Sequence, residues 1–135
     1  MGLCCGREAT DNDIEKCKSI DDLIYTLNTK KEELAEECSD ISLYLKDSTY
    51  DVKAIEIDNI DKRLLPLRIE HLKNLEKAYS EILEILENTK TLPFNSVKIH
   101  INRIVMLYLY TYDPNKELDI AMDDFKEFIN DFKGK

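Results

Sequence analysis

The residues with the clearest chemical potential lie at the N-terminus, where Gly2 precedes the adjacent thiols of Cys4 and Cys5. Removal of Met1 exposes a glycine amine that can accept a myristoyl group, and nearby cysteines can accept palmitate through a thioester. The usual Ser or Thr at position six is replaced by Gly6. These residues predict myristoylation of Gly2 and palmitoylation of Cys4 and Cys5, with the thioesters open to hydrolysis.

The net charge of residues 1–19 decides which second membrane-binding signal is available. One myristoyl chain binds membranes only marginally, with a partition constant of roughly 10⁴ M⁻¹, so stable residence needs a second signal. Residues 1–19 carry three basic and four acidic side chains, and this net charge of −1 rules out a polybasic signal. Palmitate contributes about 0.8 kcal/mol per buried CH₂, so Cys4 and Cys5 are the expected second signal.

The opening Met-Gly-Leu-Cys-Cys resembles the dually acylated starts of several peripheral membrane proteins. These are G-protein α subunits, Src-type kinases and the inner-membrane-complex proteins of apicomplexan parasites, which begin Met-Gly-x-Cys-Cys. The resemblance covers residues 1–6 and concerns attachment alone. It implies a place on the cytosolic face of a membrane, either the plasma membrane or an internal membrane system.

Composition limits the other binding partners. The chain has 135 residues, enough for one domain, with 28 acidic and 19 basic side chains and a net charge of −9. Such a surface repels phosphate backbones, so we expect no nucleic-acid binding, and it repels anionic lipid as well. No secretory signal and no apolar run long enough to span a bilayer is present. We therefore expect the reducing cytosol, where the four cysteines form no disulfide framework.

Catalytic and metal-binding motifs are not found. The two histidines, His71 in a charged stretch and His100 in an apolar one, have no nucleophile at a recognisable spacing. We expect His71 to be solvated and His100 to be a hydrogen-bonded core residue. The segment 113–124 has oxygen side chains spaced as in a calcium loop, but it lacks the required Gly and Glu, and Pro114 favours a helix. The prediction is a protein that is not an enzyme, with no metal or cofactor.

Helical periodicity then predicts the elements that carry these residues. A 3.5-residue apolar repeat predicts a helix over about 20–46, with Lys31 filling one gap in a coiled-coil-like seam. The seam positions are Ile20, Ile24, Leu27, Lys31, Leu34, Cys38, Ile41 and Leu45.

The rest of the chain continues this pattern less regularly. A helix kinked by Pro66 over about 51–89, or two helices, fits the next apolar stripe. This stripe runs through Ile57, Ile60, Leu64 and Leu67 and restarts in a shifted register with Leu72, Leu75, Tyr79, Ile82 and Leu86. A helix over about 96–111 is apolar nearly all round and should be the most buried. Asp113 and Pro114 read as the N-cap and first residue of a final helix. The predicted fold is all-α: a four- or five-helix bundle over 20–135, behind a flexible lipidated leader over 1–19.

Two groups of aromatic residues are candidate contact points for a protein partner. Tyr108, Tyr110 and Tyr112 face different directions around a helix, so at least one should reach the surface. The other group is a stripe on the final helix, which could bind a partner helix or close the core. Its members are Phe125, Phe128 and Phe132.

These features favour a membrane-anchored, non-enzymatic adaptor that presents an acidic bundle to a protein partner. One alternative is a bundle that carries a lipid or other apolar ligand in a cavity walled by Ile82, Ile99 and Leu107. Another is a coiled-coil subunit of a larger membrane-associated complex, joined through the seam between Ile20 and Leu45. An open apolar groove would favour the adaptor.

Overall fold

The structure is a computed structural model that describes residues 13–46, 64–110 and 113–134. All regular structure in these ranges is helical, which confirms the predicted all-α bundle. Its longer helices are α1 (Ile20–Lys46), α2 (Leu65–Asn88), α3 (Phe94–Met106) and α4 (Pro114–Lys133), and residues 13–16 are also helical. None of them is long and apolar enough to cross a membrane.

Helix α1 confirms the prediction for 20–46, and its first turn shows why it begins there. The Ser19 hydroxyl accepts a hydrogen bond from the Asp22 N–H at 3.1 Å. The Asp22 carboxylate in turn accepts from the Lys18 N–H at 2.9 Å. This reciprocal pair satisfies backbone donors that a helix N-terminus leaves unpaired, so the helix starts at Ile20.

The buried face of α1 differs in part from the predicted seam. Leu23 and Lys30 are buried, where the predicted seam has Ile24 and Lys31, and Leu45 at its end is exposed. An α-helix turns every 3.6 residues, so a strict 3.5-residue repeat drifts off the contact face along a straight helix. Helix α2 packs along this face, and the seam is therefore covered within the chain.

Helix α2 begins at Leu65, with Pro66 in its first turn, where the missing N–H costs nothing. Pro66 therefore does not kink a helix that continues through it, which leaves the alternative of two helices. The part of the prediction before residue 64 lies outside the described residues. The second part of the predicted stripe is buried throughout: Leu72, Leu75, Tyr79, Ile82 and Leu86.

Helix α3 is amphipathic, which corrects the prediction of a helix apolar all round. It ends at Met106 and passes into a 3₁₀ turn, Leu107–Leu109. Ile99 is 71% exposed. Only one face is buried, because α3 packs on one side against α4. The buried residues of α3 are Val97, Ile101, Ile104 and Val105.

Helix α4 starts where predicted, but not by the predicted cap. Asp113 has φ 47°, in the left-handed region, and its side chain makes no capping hydrogen bond. Its carbonyl accepts from the Glu117 N–H at 3.2 Å. Residues 114–133 are helical, so the segment does not form a calcium loop. Phe125 is fully buried, whereas Phe128 and Phe132 pack half-buried against the core.

The bundle begins before the predicted boundary at residue 20. Ile14 and Cys17 are buried in the core. The Lys98 ammonium donates to the carbonyls of Glu15 at 2.6 Å and Cys17 at 3.1 Å. Residues 13–19 therefore pack with the bundle, and residues 1–12 of the predicted leader lie outside the described residues.

Helices α1 and α2 run antiparallel. Glu37, late in α1, meets Arg68 at the start of α2, and Asp21 at the start of α1 lies 3.3 Å from Lys90 just after α2. At 1.5 Å per residue, the first turn of α2 lies roughly 30 Å from the Asp21–Lys90 end. The segment before α1 folds back along that helix, because the Asp13 carboxylate lies 3.9 Å from the Lys30 ammonium near the middle of α1.

Candidate binding cleft

A buried polar network joins α1, α2 and the 3₁₀ turn. Glu37 and Arg68 are only 5% and 4% exposed. The Arg68 Nε lies 3.4 Å from a Glu37 carboxylate oxygen, and its Nη1 donates to the Tyr108 carbonyl at 2.8 Å. The Tyr108 hydroxyl donates to the other Glu37 oxygen at 2.6 Å. Each of these three side chains thus has a hydrogen-bond or ion-pair partner within the network, as the burial of charged groups requires.

The ring of Tyr108 adds to this network. The guanidinium carbon of Arg68 lies 4.6 Å from its centroid, a favourable distance for a cation–π contact. Burial, followed by the hydrogen bond to Glu37, raises the pKa of Tyr108 above its ordinary value of 10. The phenol therefore stays protonated and donating at neutral pH.

His71 lies one turn further along α2 and is buried, at 1% exposure, so the prediction that it is solvated is wrong. Its Nε2 lies 2.8 Å from the Leu107 carbonyl. Because a carbonyl only accepts, Nε2 must carry the hydrogen. Burial lowers the pKa of His71 below 6.5, despite the opposing effect of this hydrogen bond. Nδ1 is then an acceptor; it makes no hydrogen bond of good geometry among the described residues, although the Asn115 side chain lies close enough to affect the ring.

Arg68 and His71 line a cleft of about 300 Å³ between the start of α2 and the start of α4. Like Nδ1 of His71, Nη2 of Arg68 is buried and makes no hydrogen bond in the described part of the chain. Leu64, Leu67 and Tyr110 form apolar walls, and they are 49%, 59% and 45% exposed. The walls of the cleft thus offer accessible apolar surface, whereas these two polar atoms are sealed from solvent.

The far side of the cleft comes from the first turn of α4. The Asn74 amide donates to the Asn115 side-chain oxygen at 2.8 Å and ties α4 to α2. Asp113 and Lys116, both exposed, lie at the rim with opposite charges. The rim therefore carries no net charge.

The predicted contact residues are divided among different places. Tyr108 belongs to the buried network, Tyr110 lines the cleft, and Tyr112 lies outside the described residues, as do Gly2, Cys4 and Cys5. The aromatic stripe of α4 is elsewhere: His100 stacks on Phe128 with centroids 5.1 Å apart and tilts on Phe125 at 5.7 Å.

His100 therefore occupies a different setting from the one predicted. It is half-buried between aromatic rings, and burial lowers its pKa below 6.5. Its expected role as a hydrogen-bonded core residue gives way to a stacking contact between α3 and α4.

Sequence reasoning missed Arg68 as a site residue and dismissed His71. A signal was present, because Arg68, His71 and Leu75 follow the three–four spacing of a helix face. Polar residues on an apolar face mark buried groups that need partners. Leu64 and Leu67 were predicted to continue the apolar stripe, but they are exposed, because the face of α2 that packs carries Leu65, Arg68 and Leu72.

The remaining reactive groups do not form a second site. Cys17 and Cys38 are buried free thiols, and burial raises the pKa of Cys38. Within residues 13–46, 64–110 and 113–134, no cluster of three His, Cys, Asp or Glu side chains could hold a metal ion.

Comparisons with known proteins show little likeness. No protein-family model matches the chain, and no solved structure does either. The chain is similar to the retinoblastoma-related protein 2 of Zea mays, with 28% identity over 98 residues, which are 73% of this chain. Those residues span only 10% of the maize protein, so the likeness concerns a small segment of a much longer molecule.

Proposed function

We propose that the chain is a membrane-anchored, non-enzymatic adaptor. Acyl chains on Gly2, Cys4 and Cys5 hold it on the cytosolic face of a membrane, and the bundle binds a protein partner. The observation that carries the proposal is the cleft lined by Leu64, Leu67 and Tyr110, which offers exposed apolar surface to a partner.

The composition of the cleft supports a protein as the partner. Interfaces are rich in aromatic residues at their centre and depleted of unpaired charge. Tyr110 and the two leucines form the walls, and the opposite charges of Asp113 and Lys116 lie only at the rim. An exposed apolar patch rimmed by polar groups is typical of a docking surface.

The charge of the chain also supports the proposal. The net charge of −9 fits attachment through acyl chains, because the surface itself repels anionic lipid.

The two alternatives find less support. A carrier cavity walled by Ile82, Ile99 and Leu107 would need them to face one space, but Ile82 is in the packed core and Ile99 is on the surface. The cleft is elsewhere, and its 300 Å³ is at the small end of ligand sites. A coiled-coil interface along α1 would compete with α2, which already covers that face.

Acylation is tested by labelling the expressed chain in cells with alkyne myristate and alkyne palmitate. Wild type should take both labels and pellet with membranes. Gly2→Ala should lose both and become soluble, and Cys4→Ala/Cys5→Ala should keep only myristate. A wild-type chain that takes neither label and stays soluble would refute the anchor.

Partner binding is tested by proximity biotinylation in cells, with two matched surface variants. Leu67→Glu places a charge in the cleft, and Ile99→Glu places the same charge on the exposed side of α3. Neighbours that are lost in Leu67→Glu and kept in Ile99→Glu would support an adaptor working through the cleft. Identical neighbours in both variants would argue against it.

A further inference from the structure

Residues 13–17, which we call the strap, pack on the bundle ahead of α1. Residues 13–16 are helical. The side chains of Ile14 and Cys17 are buried, at 0% and 5% exposure, and belong to the hydrophobic core. Segments near a chain terminus are poorly ordered unless specific contacts hold them. The contacts of the strap with the rest of the bundle therefore decide how firmly it is held.

The strap lies antiparallel on α1. The Asp13 carboxylate lies 3.9 Å from the Lys30 ammonium, and the Cys17 thiol lies 3.4 Å from the Thr26 hydroxyl, one turn earlier in α1. The Asp13 side chain is 41% exposed, so solvent screens the ion pair, and a thiol forms only weak hydrogen bonds. Both polar contacts with α1 are therefore weak.

Lys98 holds the strap from a different helix, α3. Its ammonium donates to the carbonyls of Glu15 at 2.6 Å and Cys17 at 3.1 Å. The last carbonyls of a helical turn have no partner within it, and a lysine can satisfy them. The bond to the Glu15 carbonyl is exposed to solvent, where water competes for both groups. Lys98 thus fastens the strap with bonds that can break without unfolding α3.

The start of α1 does not depend on the strap. The Ser19 hydroxyl accepts from the Asp22 N–H, and the Asp22 carboxylate accepts from the Lys18 N–H. These bonds involve residues 18, 19 and 22, so they persist when residues 13–17 leave the surface. Lys18 and Ser19 are exposed, and rotation of the backbone there displaces no core side chain. The junction between the strap and α1 is therefore a hinge.

We propose that the strap detaches from the bundle as one unit, with Lys98 as its latch, while α1 to α4 stay folded. Segments with few buried side chains and exposed hydrogen bonds open at a lower free energy than the whole domain. Release uncovers the site that Ile14 fills and exposes the thiol of Cys17.

Release also changes how far an anchored bundle reaches from its membrane. In the docked state the bundle holds the chain from Asp13, 11 positions after Gly2, and in the released state from Lys18, 16 positions after it. A fully extended chain spans at most about 3.5 Å per residue, so the maximal reach rises from about 40 Å to about 55 Å. This use of the strap rests on the proposed acylation of Gly2, whereas release itself does not.

Thiol reactivity in the full-length, unacylated chain tests the release. One variant keeps only Cys17 and a second keeps only Cys38, which is also buried but lies between α1 and α2, 3.9 Å from the Ile69 carbonyl. Each rate is divided by that of the same variant unfolded in urea. Cys17 should react at least about tenfold faster than Cys38. Its rate should also change little with urea below the unfolding transition, because release exposes little surface, whereas the rate of Cys38 should rise steeply.

A matched pair of lysine variants tests the latch. Lys98→Met should raise the reactivity of Cys17 about tenfold, because it removes two hydrogen bonds from a charged donor, and should leave Cys38 unchanged. Lys126→Met removes a lysine that pairs with Glu81 at 3.0 Å on the surface, and it should change neither rate.

A third variant holds the strap in its released state. Ile14→Asp should bring the reactivity of Cys17 close to that of the unfolded chain while the helical circular dichroism is kept. Adding Lys98→Met to Ile14→Asp should have no further effect, because a detached strap no longer contacts the latch. Loss of the helical signal in Ile14→Asp would instead show that the strap is an inseparable part of the core.

Two results would overturn the proposal. Equal relative rates and equal urea dependence for Cys17 and Cys38 would mean that the strap opens only with the whole bundle. Equal acceleration of Cys17 by Lys98→Met and Lys126→Met would mean that Lys98 is not the latch.

The change in reach is measured on the acylated chain bound to a supported phosphatidylcholine bilayer. Neutron reflectometry should place the bundle farther from the bilayer in Ile14→Asp than in wild type, and an unchanged distance would overturn this role of the strap. A chain that takes no acyl label but releases Cys17 as expected would refute the anchor and support the strap. Failure of the proposed function and failure of the strap are therefore distinguishable.

Discussion

Removing Arg68 should be among the most damaging single changes in the bundle. Arg68→Met deletes the hydrogen bond to the Tyr108 carbonyl at 2.8 Å and the ion pair with Glu37 at 3.4 Å. Glu37, only 5% exposed, keeps the Tyr108 hydroxyl as a partner but loses its countercharge. Breaking a buried pair in this way costs about 3–5 kcal/mol, a large share of the roughly 5–15 kcal/mol that stabilises a typical domain.

The double variant separates the charge from the packing. Glu37→Met/Arg68→Met contains no buried charge, and apolar replacement of a buried pair is often close to neutral. The loss in free energy of unfolding in this double variant should be about 2–3 kcal/mol smaller than the sum of the losses in the two single variants. Urea unfolding of the unacylated chain, followed by circular dichroism, measures both quantities.

An exposed ion pair provides the control. Arg103 and Asp124 are closer, at 2.6 Å, but their side chains are 44% and 50% exposed. The same cycle at this pair should give a coupling of under about 1 kcal/mol. If Arg68→Met costs no more than Arg103→Met, or if the Glu37 and Arg68 changes are additive, the reasoning about the buried network is wrong.

Three further predictions concern other groups. Burial lowers the pKa of His71 below 6.5, so the folded state binds fewer protons than the unfolded chain and stability falls as pH drops below about 6.5. His71→Gln should weaken the dependence of the free energy of unfolding on pH in that range, as measured by urea unfolding at several pH values. An unchanged pH dependence would contradict this. Asp113→Gly should raise the free energy of unfolding by about 1 kcal/mol, because glycine adopts the left-handed φ of 47° without strain. As a control, Asp119→Gly, at an exposed position within α4, should lower the free energy of unfolding by about 1 kcal/mol. Cys38 is a buried thiol, and its reactivity can be followed in a chain whose other cysteines are replaced by alanine. It should react with a thiol reagent at least about 100-fold more slowly in the folded chain than in urea. Equal rates would show that the fold does not protect it.

The helices were predictable where local signals agree. The segment 20–46 combines a long apolar repeat with Ser19 at its start, and the final helix combines Pro114 with a clear apolar face. Each signal acts within a few residues, through backbone donors or through one helix face. The sequence therefore predicted the extent of α1 and the start of α4, and it predicted the fold class.

The cleft was not predictable, because it depends on contacts between distant parts of the chain. Glu37 and Arg68 are 31 residues apart, Arg68 and the Tyr108 carbonyl 40, and His71 and the Leu107 carbonyl 36. Periodicity shows that a residue lies on a buried face but not which groups lie opposite it. From the sequence alone, a charged stretch such as 68–73 is therefore expected to be exposed to solvent, because the groups that it contacts are distant in sequence.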